Sequence, residues 1–348
     1  MIGRAIAGII VMSACVSGLA AQAPEPRLDA YDAAVKSYAS GGYLTAAVVP
    51  LQAFTRKHFD AAVERLVARK DHRFAEAAAM FQLEIGLGVV GLSSAAAAGH
   101  FDLGQKLLRS TQPRLHADAT QDQLTFWATW YGVVGSAFLS VNDPPRARPW
   151  IEKALDLRPQ SAPLLTLLGA AEELDAASWN PALWTTTSQK TRAMMQRNRG
   201  LASAAQNYRT ALQSDPSYAL AEIRLGRVQF LRRDLEEARA TLERAQPRAE
   251  EPGHRYLAAL FLGAVYQEQD NLAAARAAYE RALASVPESQ TAAVALGYVE
   301  LITGRPDRAQ ALAQAFAATT ADDRHWWAYK NGGLDEAGLA WLRERIRQ

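Results

Sequence analysis

Apolar residues along this chain recur at intervals of three and four positions, which is the period of an amphipathic α-helix. The pattern is clearest between Tyr256 and Ser289, where two apolar-periodic stretches flank a short polar turn. Pro287 follows the second stretch, and proline cannot continue a helix. This segment therefore predicts two antiparallel helices joined by a turn. The residues that carry the period are Ala259, Leu262, Gly263, Tyr266, Ala275, Tyr279 and Ala282.

The same arrangement recurs elsewhere in the chain. Gly135 and Gly169 are separated by 34 residues, and Pro159 lies between them in the position that Pro287 has in the clearest copy. Agreement at several positions in several copies indicates an internal repeat. The matching residues in the other copies are Tyr131, Phe138, Ala147, Ile151, Ala154, Leu168, Ala204, Tyr208, Ala211, Leu225, Gly226, Ala238, Leu242, Ala245, Ala293, Leu296, Gly297, Gly304 and Ala309.

The repeat resembles the tetratricopeptide pattern W-x2-L-G-x2-Y, A-x3-F, P, with alanine in place of tryptophan. The resemblance implies an all-α fold, a right-handed superhelical solenoid of antiparallel helix pairs. Each pair would bury its apolar face only against its neighbours. We expect diverged helical repeats over residues 24–125, the regular array over 126–320, and a C-terminal capping segment over 321–348. The aromatic residues that would seat this cap on the array are Trp326, Trp327 and Tyr329, next to His325.

An irregular stretch interrupts the array near residues 175–188. It carries Trp179 and Trp184, and a polar run follows them. After this run the sequence predicts a helix from about Gln189 to Asn198, separate from the second helix of a repeat that comes next in the chain. Loops on a rigid scaffold often carry function, so the two tryptophans are candidates for ligand contact. A tolerated insertion is the alternative interpretation.

The N-terminus has the features of an export signal over residues 1–23. Arg4 precedes a short apolar stretch, and small residues follow it. The sequence thus predicts an exported protein, periplasmic or secreted, with no membrane-spanning helix because no later apolar run is long enough. In a second interpretation, Met12-Ser13-Ala14-Cys15 is a bacterial lipobox and Cys15 carries a lipid anchor.

Composition and motifs provide no sign of catalysis. The formal net charge is +2 without a strongly basic domain, so nucleic acid is not an expected partner. Gly86-Leu-Gly88-Val-Val-Gly91 fits a dinucleotide fingerprint, but a helical rather than a strand pattern precedes it. The six histidines are scattered, and Cys15 is the only cysteine, so no metal-ligand spacing appears. We therefore predict no enzyme, no cofactor and no metal.

The family resemblance implies that the first helix of each repeat lines a concave groove. Its inward positions in this chain are both apolar and basic, which suits an extended or helical partner segment with apolar anchors. Arg224 and Arg227 would add a preference for acidic residues. The other candidate partner-binding residues are Phe230, Phe261, Gln267, Glu268 and Tyr298, with Val294, Leu301 and Ile302 beside Tyr298.

Three functions remain as hypotheses at this point. The leading one is a non-catalytic scaffold that binds a protein or peptide in the bacterial envelope and assists the assembly of exported proteins. The second is an enzyme, or a binder of a small ligand or glycan, that uses the Trp179 and Trp184 loop. The third is a purely structural spacer. The family resemblance alone does not choose a partner, because a fold hosts many functions.

Overall fold

The computed structural model describes residues 28–40, 58, 61, 72–90, 98–106, 119–317, 323–330 and 332–348. All regular elements within these ranges are helical, so the predicted all-α fold is confirmed. The predicted signal peptide, including Cys15, lies outside the described residues.

The helices follow one another with short connections, and consecutive members pack as pairs. Residues 98–106 are also helical. The remaining helices are α1 Leu28–Ala39, α2 His72–Val90, α3 Gln121–Ser140, α4 Pro144–Leu157, α5 Ala162–Ser178, α6 Thr187–Ser214, α7 Ala219–Leu231, α8 Leu235–Ala245, α9 Pro252–Glu268, α10 Leu272–Ser285, α11 Gln290–Ile302, α12 Pro306–Ala317, α13 Arg324–Lys330 and α14 Glu336–Arg347.

Five pairs, α3/α4 to α11/α12, form the regular array. In the first four pairs, a glycine of the first helix faces a side chain of the second helix so closely that a Cβ atom would collide with it. The absence of a side chain at this position lets the two helices approach and bury the facing residue. These glycine contacts are Gly135 with Ile151, Gly169 with Tyr208, Gly226 with Leu242, and Gly263 with Tyr279.

The turns within the pairs also repeat. In four of them one residue has a positive φ, and the next amide donates to the carbonyl oxygen five residues before it, which is the Schellman end of a helix. The positive-φ residues are Asn142 at 60°, Arg233 at 73°, Asp270 at 58° and Gly304 at 76°. The hydrogen bonds are Asp143 N to Phe138 O, Asp234 N to Gln229 O, Asn271 N to Tyr266 O, and Arg305 N to Glu300 O.

The pair α5/α6 has a longer connection, which contains Trp179 and Trp184. Helix α6 begins at Thr187 and continues for 28 residues to Ser214. The prediction of a separate helix near residues 189–198 was wrong, because that stretch is the first part of the same helix. A capping box starts it, in which Thr186 Oγ1 accepts from the amide of Gln189 and the Gln189 side chain accepts from the amide of Thr186.

Helices before the regular array extend the same apolar core. Tyr38 packs edge-on against Phe81 of α2, and the Trp130 indole of α3 donates to the carbonyl oxygen of Ala79 at 3.1 Å. Phe101, in the helical segment 98–106, packs against Phe138 of α3. The described residues before α3 are thus continuous with the array and do not form a separate core.

Candidate partner-binding surface

The first helices of the five pairs, α3, α5, α7, α9 and α11, share one face, which we call the inner face. Residues 323–330 and 332–348, which we call the C-terminal segment, lie along it. Asp323 contacts Thr291 of α11, Tyr329 contacts Glu173 of α5, and Asp335 contacts Ser136 of α3. The segment therefore runs back across the array, from the last helix pair towards the first.

The start of the C-terminal segment is fixed by the carboxylate of Asp323. It accepts hydrogen bonds from the hydroxyl groups of Tyr256 at 3.1 Å and Ser289 at 3.2 Å, and from the amide of Thr291 at 2.8 Å. The Thr291 hydroxyl also donates to it. Because Asp323 is buried and these donors come from α9 and from the start of α11, it joins two neighbouring pairs.

A buried polar cluster holds the middle of the segment. The Tyr329 hydroxyl donates to Glu173 Oε1 at 2.5 Å, and the Tyr208 hydroxyl donates to Glu173 Oε2 at 2.9 Å. Arg224 lies 3.4 Å from the same Oε2, donates to the backbone carbonyl of Tyr329, and places its guanidinium 4.3 Å from the centre of the Tyr329 ring. One buried carboxylate is thus shared by three elements of the array and by the C-terminal segment.

The end of the segment reaches the first helices. Leu339 and Leu342 of α14 are buried in the same core as α2 and α3. Arg343 donates to both oxygens of Glu84, at 2.6 and 3.0 Å. Arg345 lies 3.3 Å from Glu76 and 2.7 Å from Asp122. The residues expected to cap the array are therefore placed on its inner face and on its first helices.

Burial has a marked effect on several tyrosines. It raises the pKa of Tyr208 and of Tyr329 well above the usual value, and the negative charge of Glu173 raises both further. Burial also raises the pKa of Tyr218 and of Tyr279 to about 12. Tyrosine in an unfolded chain has a pKa of about 10. The folded chain therefore keeps these protons over a pH range in which the unfolded chain loses them.

We expect the stability of the fold to decline as the pH rises from about 10 to about 12. Over this range the unfolded state binds fewer protons than the folded state, so the free energy of unfolding decreases with pH. Urea unfolding at intervals from pH 8 to 12 measures this decline. Tyr329→Phe, which removes one contributing hydroxyl, should decline less steeply relative to its own value at pH 8. A midpoint independent of pH for the unaltered chain would contradict the expectation.

Some of the predicted groove residues are covered by the C-terminal segment, and others already make contacts within the array. Arg224 and Phe261 do lie on the inner face, but both are buried, and the Tyr329 ring lies 4.9 Å from that of Phe261. The Arg227 guanidinium lies over the rings of Phe230 and Phe261, at 5.1 and 5.2 Å. The inner face at α7 and α9 is thus occupied by the chain itself.

Two of the other predicted residues make contacts within the array. Gln267 Oε1 accepts from the Tyr279 hydroxyl at 3.1 Å. Glu268 pairs with Arg233 at 2.7 Å, which joins the end of α9 to the turn of the preceding pair. These two side chains contribute to the contacts within and between helix pairs.

Tyr298 is different, because it is exposed. With Val294, Leu301 and Ile302 it forms an apolar stripe at positions i, i+4, i+7 and i+8 of α11, which we call the α11 stripe. The exposed fractions of Val294, Tyr298, Leu301 and Ile302 are 73%, 51%, 57% and 46%. The stripe continues the face of α11 that contacts Asp323 through Thr291. It is a part of the inner face that the C-terminal segment leaves open.

The two loop tryptophans pack against each other. The rings of Trp179 and Trp184 are stacked, with centroids 6.3 Å apart and planes 15° from parallel. Trp179 is half-buried and Trp184 is exposed. Within the described residues, no group of three His, Cys, Asp or Glu side chains is placed to hold a metal ion. In that same part of the chain, no helix is both long and apolar enough to cross a membrane.

A family model and several solved structures are similar to part of this chain. A family model described as a tetratricopeptide repeat-like domain matches residues 188–301, which confirms the resemblance for that part of the chain. The solved structures that are similar in fold include TTC0263, a thermophilic TPR protein of Thermus thermophilus, with 17% identity, a TM-score of 0.41, and 63% of this chain and 97% of that chain covered.

Two further solved structures are similar in fold as well. PilF of Pseudomonas aeruginosa has 19% identity and a TM-score of 0.45, with 65% of this chain and 91% of that chain covered. PilW, described as a widely conserved type IV pilus biogenesis factor, has 19% identity and a TM-score of 0.42, with 63% and 90% covered. The search of curated proteins finds no match. The family match over residues 188–301 and the repeated helix pairs of the described residues define a tetratricopeptide-like array.

Proposed function

We infer that this protein is a non-catalytic scaffold that binds an apolar segment of another protein in the bacterial envelope. The α11 stripe carries this inference. Its four large apolar side chains are adjacent on one helix and exposed to solvent, and contiguous apolar surface of this kind marks interaction sites. Their spacing matches the contacts that a helix face makes with an amphipathic partner.

The surroundings of the stripe add a preference for charge. Glu300, next to Leu301, is fully buried and pairs with Arg276 at 3.2 Å and Arg305 at 3.0 Å, while Arg308 lies 3.4 Å away. Arg308 also pairs with Glu280 at 3.2 Å, so three arginines around two carboxylates leave one positive charge at the C-terminal end of α11. A partner segment with two or three apolar anchors followed by an acidic residue fits both features.

The envelope location rests on the sequence. Residues 1–23 have the basic start, the apolar stretch and the small residues of a signal peptide. An exported array that presents an open apolar stripe suits a protein that assists the assembly of other exported proteins. The lipid anchor at Cys15 remains the alternative form of the same location.

We expect a photo-crosslinking amino acid at position 298 to capture a discrete protein adduct in native cells. The same group at Met195, an apolar residue of α6 that is 66% exposed, is the matched control and should capture none. Combining the crosslinker at 298 with Leu301→Ser should reduce the adduct at least fivefold, because one anchor is lost. Equal adducts at both positions, or no adduct at 298, would show that the stripe has no specific partner.

A further inference from the structure

A cavity of about 400 Å³ lies between α5, α6, α7 and α13, beside the loop that follows α5. Its size is within the range of roughly 300–1,000 Å³ found for small-molecule sites. Leu201, Leu231 and Trp326 contribute apolar walls, and Arg197, Arg227 and Lys330 contribute cationic groups. The cavity is therefore apolar in its walls and positive in its charge.

The three cations are not neutralised by the protein around them. In the described part of the chain, none of them forms an ion pair. Arg227 lies over the rings of Phe230 and Phe261, and Lys330 lies over the Trp327 ring at 4.8 Å. These ring contacts orient the cations but leave their positive charges without a counter-ion.

Among the described residues that line the cavity, the only carboxylate is that of Glu173. Both of its oxygens are already engaged, by Tyr329, by Tyr208 and by Arg224, which itself carries a full positive charge. Glu173 is thus neutralised by Arg224 and does not offset the charges of Arg197, Arg227 and Lys330. An anion that enters the cavity therefore meets a positive potential near the three cationic side chains. The rest of the wall that it meets is apolar.

We propose that this cavity binds a small aliphatic carboxylate. Its head group takes the paired hydrogen bonds that a guanidinium group offers to a carboxylate from Arg197, and Arg227 and Lys330 add positive charge to the same cavity. Its hydrocarbon chain lies against Leu201, Leu231 and Trp326, where burial removes apolar surface from water. The site is separate from the α11 stripe, since none of its described walls belongs to α11, so it stands or falls independently of partner binding.

Isothermal titration of the full chain with octanoate tests the proposal, with octylamine and 1-octanol as ligands of similar length and different head group. We expect saturable binding of octanoate alone. Arg197→Gln should weaken it at least tenfold, whereas Arg197→Lys should weaken it less, because the charge remains. Arg199→Gln, on the same helix but outside the cavity walls, is the matched control and should bind as the unaltered chain does.

Three outcomes would overturn the proposal. The first is binding of octylamine or 1-octanol as strong as that of octanoate. The second is unchanged octanoate affinity in the Arg197→Gln variant. This variant should fold normally, because the Arg197 side chain is partly exposed. The third is tighter binding of N-acetyl-dileucine, which would assign the cavity to the C-terminus of a peptide and not to a free aliphatic acid.

Discussion

Leucine in place of Gly263 is expected to lower the free energy of unfolding by about 3 kcal/mol, at the upper end of the cost of overpacking. Even the first carbon of a side chain at this position would collide with the Tyr279 ring, which is buried between α9 and α10. The ring has no free space to enter, so the two helices must separate. For a chain of this size the loss corresponds to a melting temperature lower by roughly 4 °C.

Gly297 provides the control, because it has the same position one repeat later. A Cβ atom at Gly297 meets nothing within 4 Å. Gly297→Leu should therefore leave the melting temperature unchanged or raise it slightly, since glycine costs a helix up to about 1 kcal/mol. The comparison uses one chemical change at two equivalent sites. Similar melting temperatures for the two variants would contradict the packing described for α9 and α10.

Replacing Arg224 with methionine is expected to cost about 3–5 kcal/mol of unfolding free energy. The change keeps much of the side-chain volume but leaves Glu173 buried without a cation, and an uncompensated buried charge is strongly destabilising. It also removes the hydrogen bond to the Tyr329 carbonyl and the contact with the Tyr329 ring. Urea unfolding followed by circular dichroism measures the loss.

Arg233→Met is the matched control for Arg224→Met. Arg233 also pairs with a glutamate, Glu268, but its side chain is 68% exposed. An exposed pair contributes at most about 1 kcal/mol, so this variant should be nearly as stable as the unaltered chain. Hydrogen exchange adds a second measurement, in which Arg224→Met should speed exchange in α13 and Arg233→Met should not. Equal costs for the two arginines would argue against the buried cluster.

The helix pairs of the array could be predicted from the sequence because the residues that specify each pair lie close together in the chain. Gly263 and Tyr279 are 16 residues apart, and the same spacing of glycine, apolar and proline positions returns in the neighbouring copies. Helix α6 was divided wrongly because its first part is polar and lacks the apolar period. Thr186 and Gln189, a threonine followed three residues later by glutamine, are the sequence signal that marks its true start.

The occupation of the inner face could not be predicted from the sequence. Arg224 and Phe261 lie on first helices, yet nothing near them in sequence reveals that Tyr329 contacts both. The Glu173–Tyr329 hydrogen bond joins residues 156 positions apart. Such a contact depends on the path of the chain and leaves no periodic trace. The exposure of Tyr298 likewise depends on which part of α11 the C-terminal segment covers.

The C-terminal segment also determines when the fold can be completed. Arg343 binds Glu84 across 259 residues, and Leu339 and Leu342 fill the core beside α2 and α3. A solenoid held by neighbouring repeats alone can form progressively as it is synthesised. Here the first helices cannot be fully packed until the last residues have been synthesised, because a loop that spans most of the chain must close first. A nascent or truncated chain without α14 therefore exposes apolar surface at its N-terminal end until the C-terminus arrives.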